Sequence, residues 1–238
     1  MTSSSSNAKP GSLLAKYSIA AASESVKRLA ALIAVRGADL DKVAKVIAAD
    51  PLLTAELLEG DVPASGALDE VERQIFRRGV EPILVMALSE PLTSAVFRTF
   101  DSMVGFTLQP VPVGKANPSA VERFTSSLSV TGRANGKVYL RLGEDFCRSV
   151  AAKILGLEAD ELSPTDLTDV LAELSNVIVG NFQSNLCDAS LGCKLSVPEV
   201  VADAVFSPPK VPRGNHRTFG FRHDSGLLLV DILVEFAG

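Results

Sequence analysis

The chain has 238 residues, of which 47% are hydrophobic and 21% charged, with a formal net charge of −5. These values fit one large or two small globular units and exclude fibrous or wholly disordered classes. Two histidines (His216 and His223), three cysteines and no tryptophan leave little material for His-rich metal sites, His-based triads or indole-lined cages, so any chemistry must rest on carboxylates, amides, hydroxyls or lysines, or come with the substrate.

Cys147, Cys187 and Cys193 are odd in number and suit neither a disulfide framework nor a zinc knuckle, so reduced, packed thiols are expected. Residues 1–22 are Ser-rich at first, and the apolar stretch that follows is interrupted by Lys16 with no basic region before it, which reads as a flexible tail and not a signal peptide. The longest apolar run, Leu227 to Val234, is broken by Asp231 and is far shorter than the roughly 20 residues a membrane helix needs. A cytoplasmic protein without membrane insertion is expected. Basic residues cluster no further than pairs such as Arg77-Arg78, which gives no electrostatic footprint for nucleic acid.

Residues 23–88 carry helical spacing, first in Val26, Leu29, Ala30 and Ile33, then in Leu40, Val43, Ala44, Val46 and Ile47. Gly37 suits the end of the first helix and Asp39 the cap of the second, while Asp50-Pro51 starts a third with proline at its first position. That helix stops at Gly60-Asp61, another spans about Leu68 to Arg78 and closes at Gly79, and Pro82 opens the next. The stretch Asp39 to Leu58 (DLDKVAKVIAADPLLTAELL), followed by GVEP and ILVMAL at residues 79–88, resembles the opening helices of the HDOD family of regulatory domains. Where that family continues with a small Asn-containing motif this chain has Gly60-Asp61-Val62, so the likeness is to a truncated helical module.

Residues 89–238 change texture. After a helix from Pro91 to Met103, two β-compatible runs, Phe124 to Thr131 and Lys137 to Leu142, flank residues 132–136, whose Asn135-Gly136 step is a strong hairpin signal. A helix follows from about Asp145 to Leu155, ended by Gly156. A longer one runs from about Thr165 to Asp188, with Asp166 and Asp169 near its positive end. Lys194 to Val201 reads as a strand and Ser207 to Asn215 as a connector. Arg217 to His223 and Leu227 to Glu235 form a hairpin around residues 224–226. His223, Asp224 and Ser225 are consecutive in that turn and cannot face one another as a triad requires. The order predicts an α+β fold, an antiparallel sheet covered by helices and preceded by a small all-helical module.

The long helix carries the informative pattern. At about 100° per residue, Asp169, Glu173, Asn176, Gly180 and Gln183 share one band, opposite an apolar face containing Leu167, Val170, Leu171, Leu174, Val177, Ile178 and Phe182. Asparagine and glycine are locally unfavourable in an exposed helix interior, by roughly 0.5 and 1 kcal/mol relative to alanine. Asp169, Glu173 and Asn176 on a helix, followed by Pro198 in a strand, resemble the motif of the CheC/CheX/FliY phosphatases, which act on the response regulator CheY. The surrounding sequence is similar to the CheX branch over about three-fifths of the chain, from the helix containing Phe97 onward.

The resemblance implies that Glu173 pairs with a lysine of a phosphorylated CheY-like receiver and that Asn176 orients the attacking water. Asp169 would be accessory, Gly180 would permit close approach of the receiver, and Pro198 would shape its strand. A carboxylate suits an ammonium, whereas a neutral amide both donates and accepts without repelling a phosphoryl group. It further implies that the chain has no cofactor of its own, that the receiver supplies Mg²⁺, and that a homodimer could form through a sheet edge, for which the final strand (LLLVDILVEF) is the expected site. The alternatives are a non-catalytic receiver-binding or dimerisation module and a structural domain related to flagellar switch proteins.

Overall fold

The computed structural model describes residues 24–33, 38–60, 62–63, 65–113, 123–132, 134–188, 192–203, 206–207, 210 and 215–236. The tail 1–22, Gly37 and most of the connector 207–215 lie outside them. Among the described residues five helices come first: α1 (Glu24–Ile33), α2 (Leu40–Ala49), α3 (Pro51–Leu57), α4 (Ala67–Arg78) and α5 (Glu81–Ala87). Local chemistry sets their ends. The Asp39 carboxylate accepts from the Lys42 amide at 3.2 Å and caps α2; Asp50 accepts from the Leu52 and Leu53 amides and caps α3 with Pro51 at its first turn. Their apolar faces meet in a core around Leu29, Val43, Ile47, Leu57, Val71 and Ile83.

The remaining elements are α6 (Ser89–Thr99), a π turn (Phe100–Val104), β1 (Gln109–Val111), β2 (Phe124–Gly132), β3 (Ala134–Leu142), α7 (Glu144–Leu155), α8 (Pro164–Asp188), β4 (Cys193–Leu195), β5 (Glu199–Ala202), β6 (His216–His223) and β7 (Gly226–Phe236). The seven strands among the described residues form one antiparallel sheet in the order β1-β6-β7-β3-β2, with β4 and β5 both on the outer side of β2. The architecture is therefore α+β, as expected. Leu128, Val138, Leu140, Leu228, Val230 and Ile232 point from the sheet into the main core, where they meet the buried residues of α6, α7 and α8. Ala30 of α1 and Val85 of α5 also enter this core, so the helical part packs onto the sheet.

Two expectations are corrected. The final strand is not an edge: β7 lies between β6 and β3, paired along its length on both sides. Its apolar run, interrupted only at Asp231, has a physical reason, because Leu228, Val230, Ile232 and Val234 serve the main core while Leu227, Leu229 and Leu233 are buried on the other face. Asn135-Gly136 is not the turn either. Both residues lie within β3, Gly136 opposite Val130 on one side and Val234 on the other. A Cβ at Gly136 would lie 1.9 Å from the Leu233 carbonyl oxygen, so glycine is required there by the close approach of β7. The Asn135 side chain instead accepts from the Gly132 amide at 3.0 Å and braces the hairpin end.

The second face of the sheet holds a buried charge cluster. Arg141 of β3 donates from Nε to Asp231 of β7 at 2.7 Å, with the two side chains 7% and 1% exposed. His216 and Thr218 hydrogen-bond the other Asp231 oxygen. Burial alone would raise the Asp231 carboxyl, but hydrogen bonds from His216 and Thr218 and the Arg141 guanidinium outweigh it and hold the group below its ordinary range.

Candidate functional site

The long helix α8 is fixed at three levels. At its start Ser163 and Asp166 form a reciprocal cap: the Asp166 carboxylate accepts from the Ser163 amide at 2.8 Å and hydroxyl at 2.7 Å, and Ser163 Oγ accepts from the Asp166 amide at 3.2 Å. These bonds hold the Asp166 carboxyl below its usual range. Along its length Leu167, Leu171, Leu174, Ile178, Phe182 and Leu186 are buried against the sheet and neighbouring helices, and Asn181 and Asn185 donate to Thr99 and to the Pro91 carbonyl of α6. Near its end Gln183 donates to the Cys193 carbonyl and ties the helix to β4.

The opposite face of α8 carries the expected stripe. Asp169, Glu173 and Asn176 are all exposed, and none of the three makes a hydrogen bond or ion pair among the described residues. Glu173 and Asn176 are separated by about 4.5 Å along the axis and lie on one side of the helix. Gly180 follows one turn beyond Asn176. A Cβ built there meets nothing within 4 Å among the described residues, so packing among them does not explain the glycine. Asn176, Gly180 and Gln183 form one wall of an open cleft of about 670 Å³ whose other wall is the segment from Lys194 to Pro198. The structure thus brings Asn176, Gly180 and Pro198 to one cleft and places Glu173 one turn outside it. Asp169 lies two turns from Asn176 and takes no part in the lining.

The opposing wall holds a feature missed in sequence. Lys194 to Val201 is not one continuous strand. Leu195 pairs with Val130 and Glu199 with Ser127, so Ser196, Val197 and Pro198 face only Leu128 and Ser129 of β2. This is a β-bulge with one extra residue, and bulges recur beside active sites because they re-aim a side chain. Ser196 pins it: its amide donates to the Ser129 carbonyl at 3.0 Å and its Oγ accepts from the Ser129 amide at 2.9 Å. Pro198 has no amide to donate, as an interrupted edge tolerates. Val197 is left 82% exposed at the mouth of the cleft. The proline inside an otherwise strand-like run was the available signal for this bulge.

Other candidates are structural. The expectation that His223 and Ser225 cannot face one another is corrected: Ser225 Oγ lies 2.7 Å from His223 Nδ1, which also accepts from the Ser225 amide at 3.2 Å, because the tight turn folds the serine back over the ring. The His223 ring stacks on Phe106 with centroids 4.1 Å apart, which makes the pair part of the β6–β7 turn. Cys147 is buried and Cys193 half-buried, as packed thiols should be, but Cys187 is exposed. Among the described residues no three His, Cys, Asp or Glu side chains gather as a metal would require, and no helix is long and apolar enough to cross a membrane.

An antiparallel sheet covered on one face by helices, with a long helix presenting an exposed carboxylate and amide beside a bulged edge strand, defines an α+β domain with a polar docking face. Residues 124–216 match the family model described as chemotaxis phosphatase CheX. Among solved structures, the chain is similar to the chemotaxis protein CheX from Vibrio vulnificus, with 17% identity and a TM-score of 0.55 over 62% of this chain and 96% of that one. It is similar to CheX from Desulfovibrio desulfuricans, with 21% identity and a TM-score of 0.52 over 62% and 99%. A CheX–CheY–BeF3–Mg complex from Borrelia burgdorferi matches with 16% identity and a TM-score of 0.50 over 61% and 96%. No curated protein matches the chain by sequence.

Proposed function

We propose that the chain is a phosphatase for the aspartyl phosphate of a CheY-like receiver domain. The observation that carries this reading is the placing of Glu173 and Asn176 one turn apart on one helix face, both exposed and without a hydrogen-bond or ion-pair partner among the described residues, beside an open cleft. Glu173 docks an ammonium of the receiver, and Asn176 enters the receiver's site, its carbonyl accepting from a water while its amide group donates. The water oxygen then bonds to phosphorus as the bond to the receiver's carboxylate breaks in line, releasing inorganic phosphate and the free aspartate. Phosphoryl transfer needs positioning and charge stabilisation more than covalent help from the protein, and Mg²⁺ and the lysine come with the receiver. Val197 and Lys194 on the cleft's far wall supply an apolar and a cationic contact for the docked partner, and Gly180 leaves room for its backbone. The solved CheX–CheY complex makes a CheY-like partner the natural choice.

The test follows loss of phosphate from candidate phospho-receivers with Mg²⁺ present. Wild type should accelerate the decay of at least one, and Glu173→Ala and Asn176→Ala should not. If wild type accelerates none but binds a phospho-receiver, the chain is a receiver-binding module without catalysis.

A further inference from the structure

The helical part and the sheet leave a second cleft between them, of about 790 Å³. That is within the roughly 300–1,000 Å³ of small-molecule sites, which favour such junctions. Its floor is apolar, formed in part by Ile83 and Met86 of α5, both nearly buried. Its rim is cationic on both sides, with Arg77 and Arg78 from α4 and Arg217 from β6. Two of these guanidiniums are matched: Arg78 pairs with Glu59 at 2.9 Å, and Arg217 reaches across to Glu56. Burial disfavours the charged Glu56 carboxylate and pushes its pKa up, although Arg217 opposes the shift. Arg77 has no ion pair among the described residues. The rim therefore holds three guanidiniums against two carboxylates over an apolar floor.

We propose that this cleft binds a small organic anion, its apolar body on Ile83 and Met86 and its charged head between Arg77 and Arg217. Guanidinium forks suit carboxylate and phosphate heads because they donate two parallel hydrogen bonds. Such a ligand bridges the helical part and the sheet, and its site is independent of Glu173 and Asn176.

The chain has three methionines, so methyl-¹³C methionine labelling of the full protein gives a sparse spectrum in which Met86 reports this cleft and Met103 serves as a control in the π turn. Titration with 1-naphthyl phosphate should shift the Met86 methyl saturably and leave Met103 in place. Arg77→Glu, at an exposed position, should weaken that binding by about tenfold or more, as should replacing the probe by uncharged 1-naphthol. An unmoved Met86 signal at millimolar probe, equal binding of 1-naphthol, or unchanged affinity in Arg77→Glu with Met103 undisturbed would each overturn the proposal.

Discussion

Gly180→Ala should raise the stability of the protein while weakening its action on the receiver. Gly180 sits in the interior of α8, and a Cβ there meets nothing within 4 Å among the described residues, so alanine meets no clash with them. Removing glycine from a helix interior is worth about 1 kcal/mol, which for a chain of this size raises the unfolding midpoint by roughly 2–4 °C. If a receiver backbone occupies that space in the complex, the added methyl forces a shift costing about 1–3 kcal/mol at the interface. Thermal unfolding by circular dichroism measures the first effect, and KM for the phospho-receiver, expected to rise with little change in kcat, measures the second. A more stable variant with an unchanged KM would show that the glycine has no part in docking. A less stable variant would refute the account of the space around it.

Three further outcomes follow from buried groups. The folded Asp231 carboxyl lies below its ordinary value of 3.8, so the stability it contributes is present above that value and is lost as pH falls through the folded pKa. Asp231→Asn should remove this acid-dependent component and, by taking the charge out of the hydrogen bonds to Arg141, His216 and Thr218, cost about 1.5–3 kcal/mol at pH 7; an unchanged denaturant midpoint at neutral pH would contradict this. Ser126 of β2 is fully buried and its hydroxyl has no partner among the described residues, so Ser126→Ala should be neutral or stabilising by about 1 kcal/mol, and a clear loss of unfolding temperature would show a partner that the fold conceals. Burial pushes the Cys147 thiol up to about 12. At pH 8 a disulfide reagent should modify exposed Cys187 first and Cys147 only on unfolding; rapid loss of the Cys147 thiol in the native protein would argue against its burial.

Features set by contacts within one helical turn were readable from the chain alone. The cap at Asp39 and the helix start at Asp50-Pro51 depend on residues two or three positions apart, and the stripe from Asp169 to Gln183 depends only on helical periodicity. Features set by distant approach were not. Asn135-Gly136 carries a turn signal, yet Gly136 is fixed by the carbonyl of Leu233, almost a hundred residues later in sequence. The apolar run of β7 has no alternation to identify an exposed face, and that lack is itself the mark of a strand buried on both sides. The three-residue β1 is too short to show a period. The bulge at Val197 arises from a register difference between two short strands on β2, for which Pro198 was the one local sign.

The central claim is that Asn176 acts by orienting water as a neutral amide, and Asn176→Asp tests it most directly because the substitution preserves shape while adding negative charge. Stopped-flow decay of a phospho-receiver with Mg²⁺, over a range of receiver concentrations, separates kcat from KM. With Glu173 intact, kcat should fall by about a hundredfold or more, with the unfolding midpoint unchanged. Turnover by Asn176→Asp as fast as that of wild type would contradict the account.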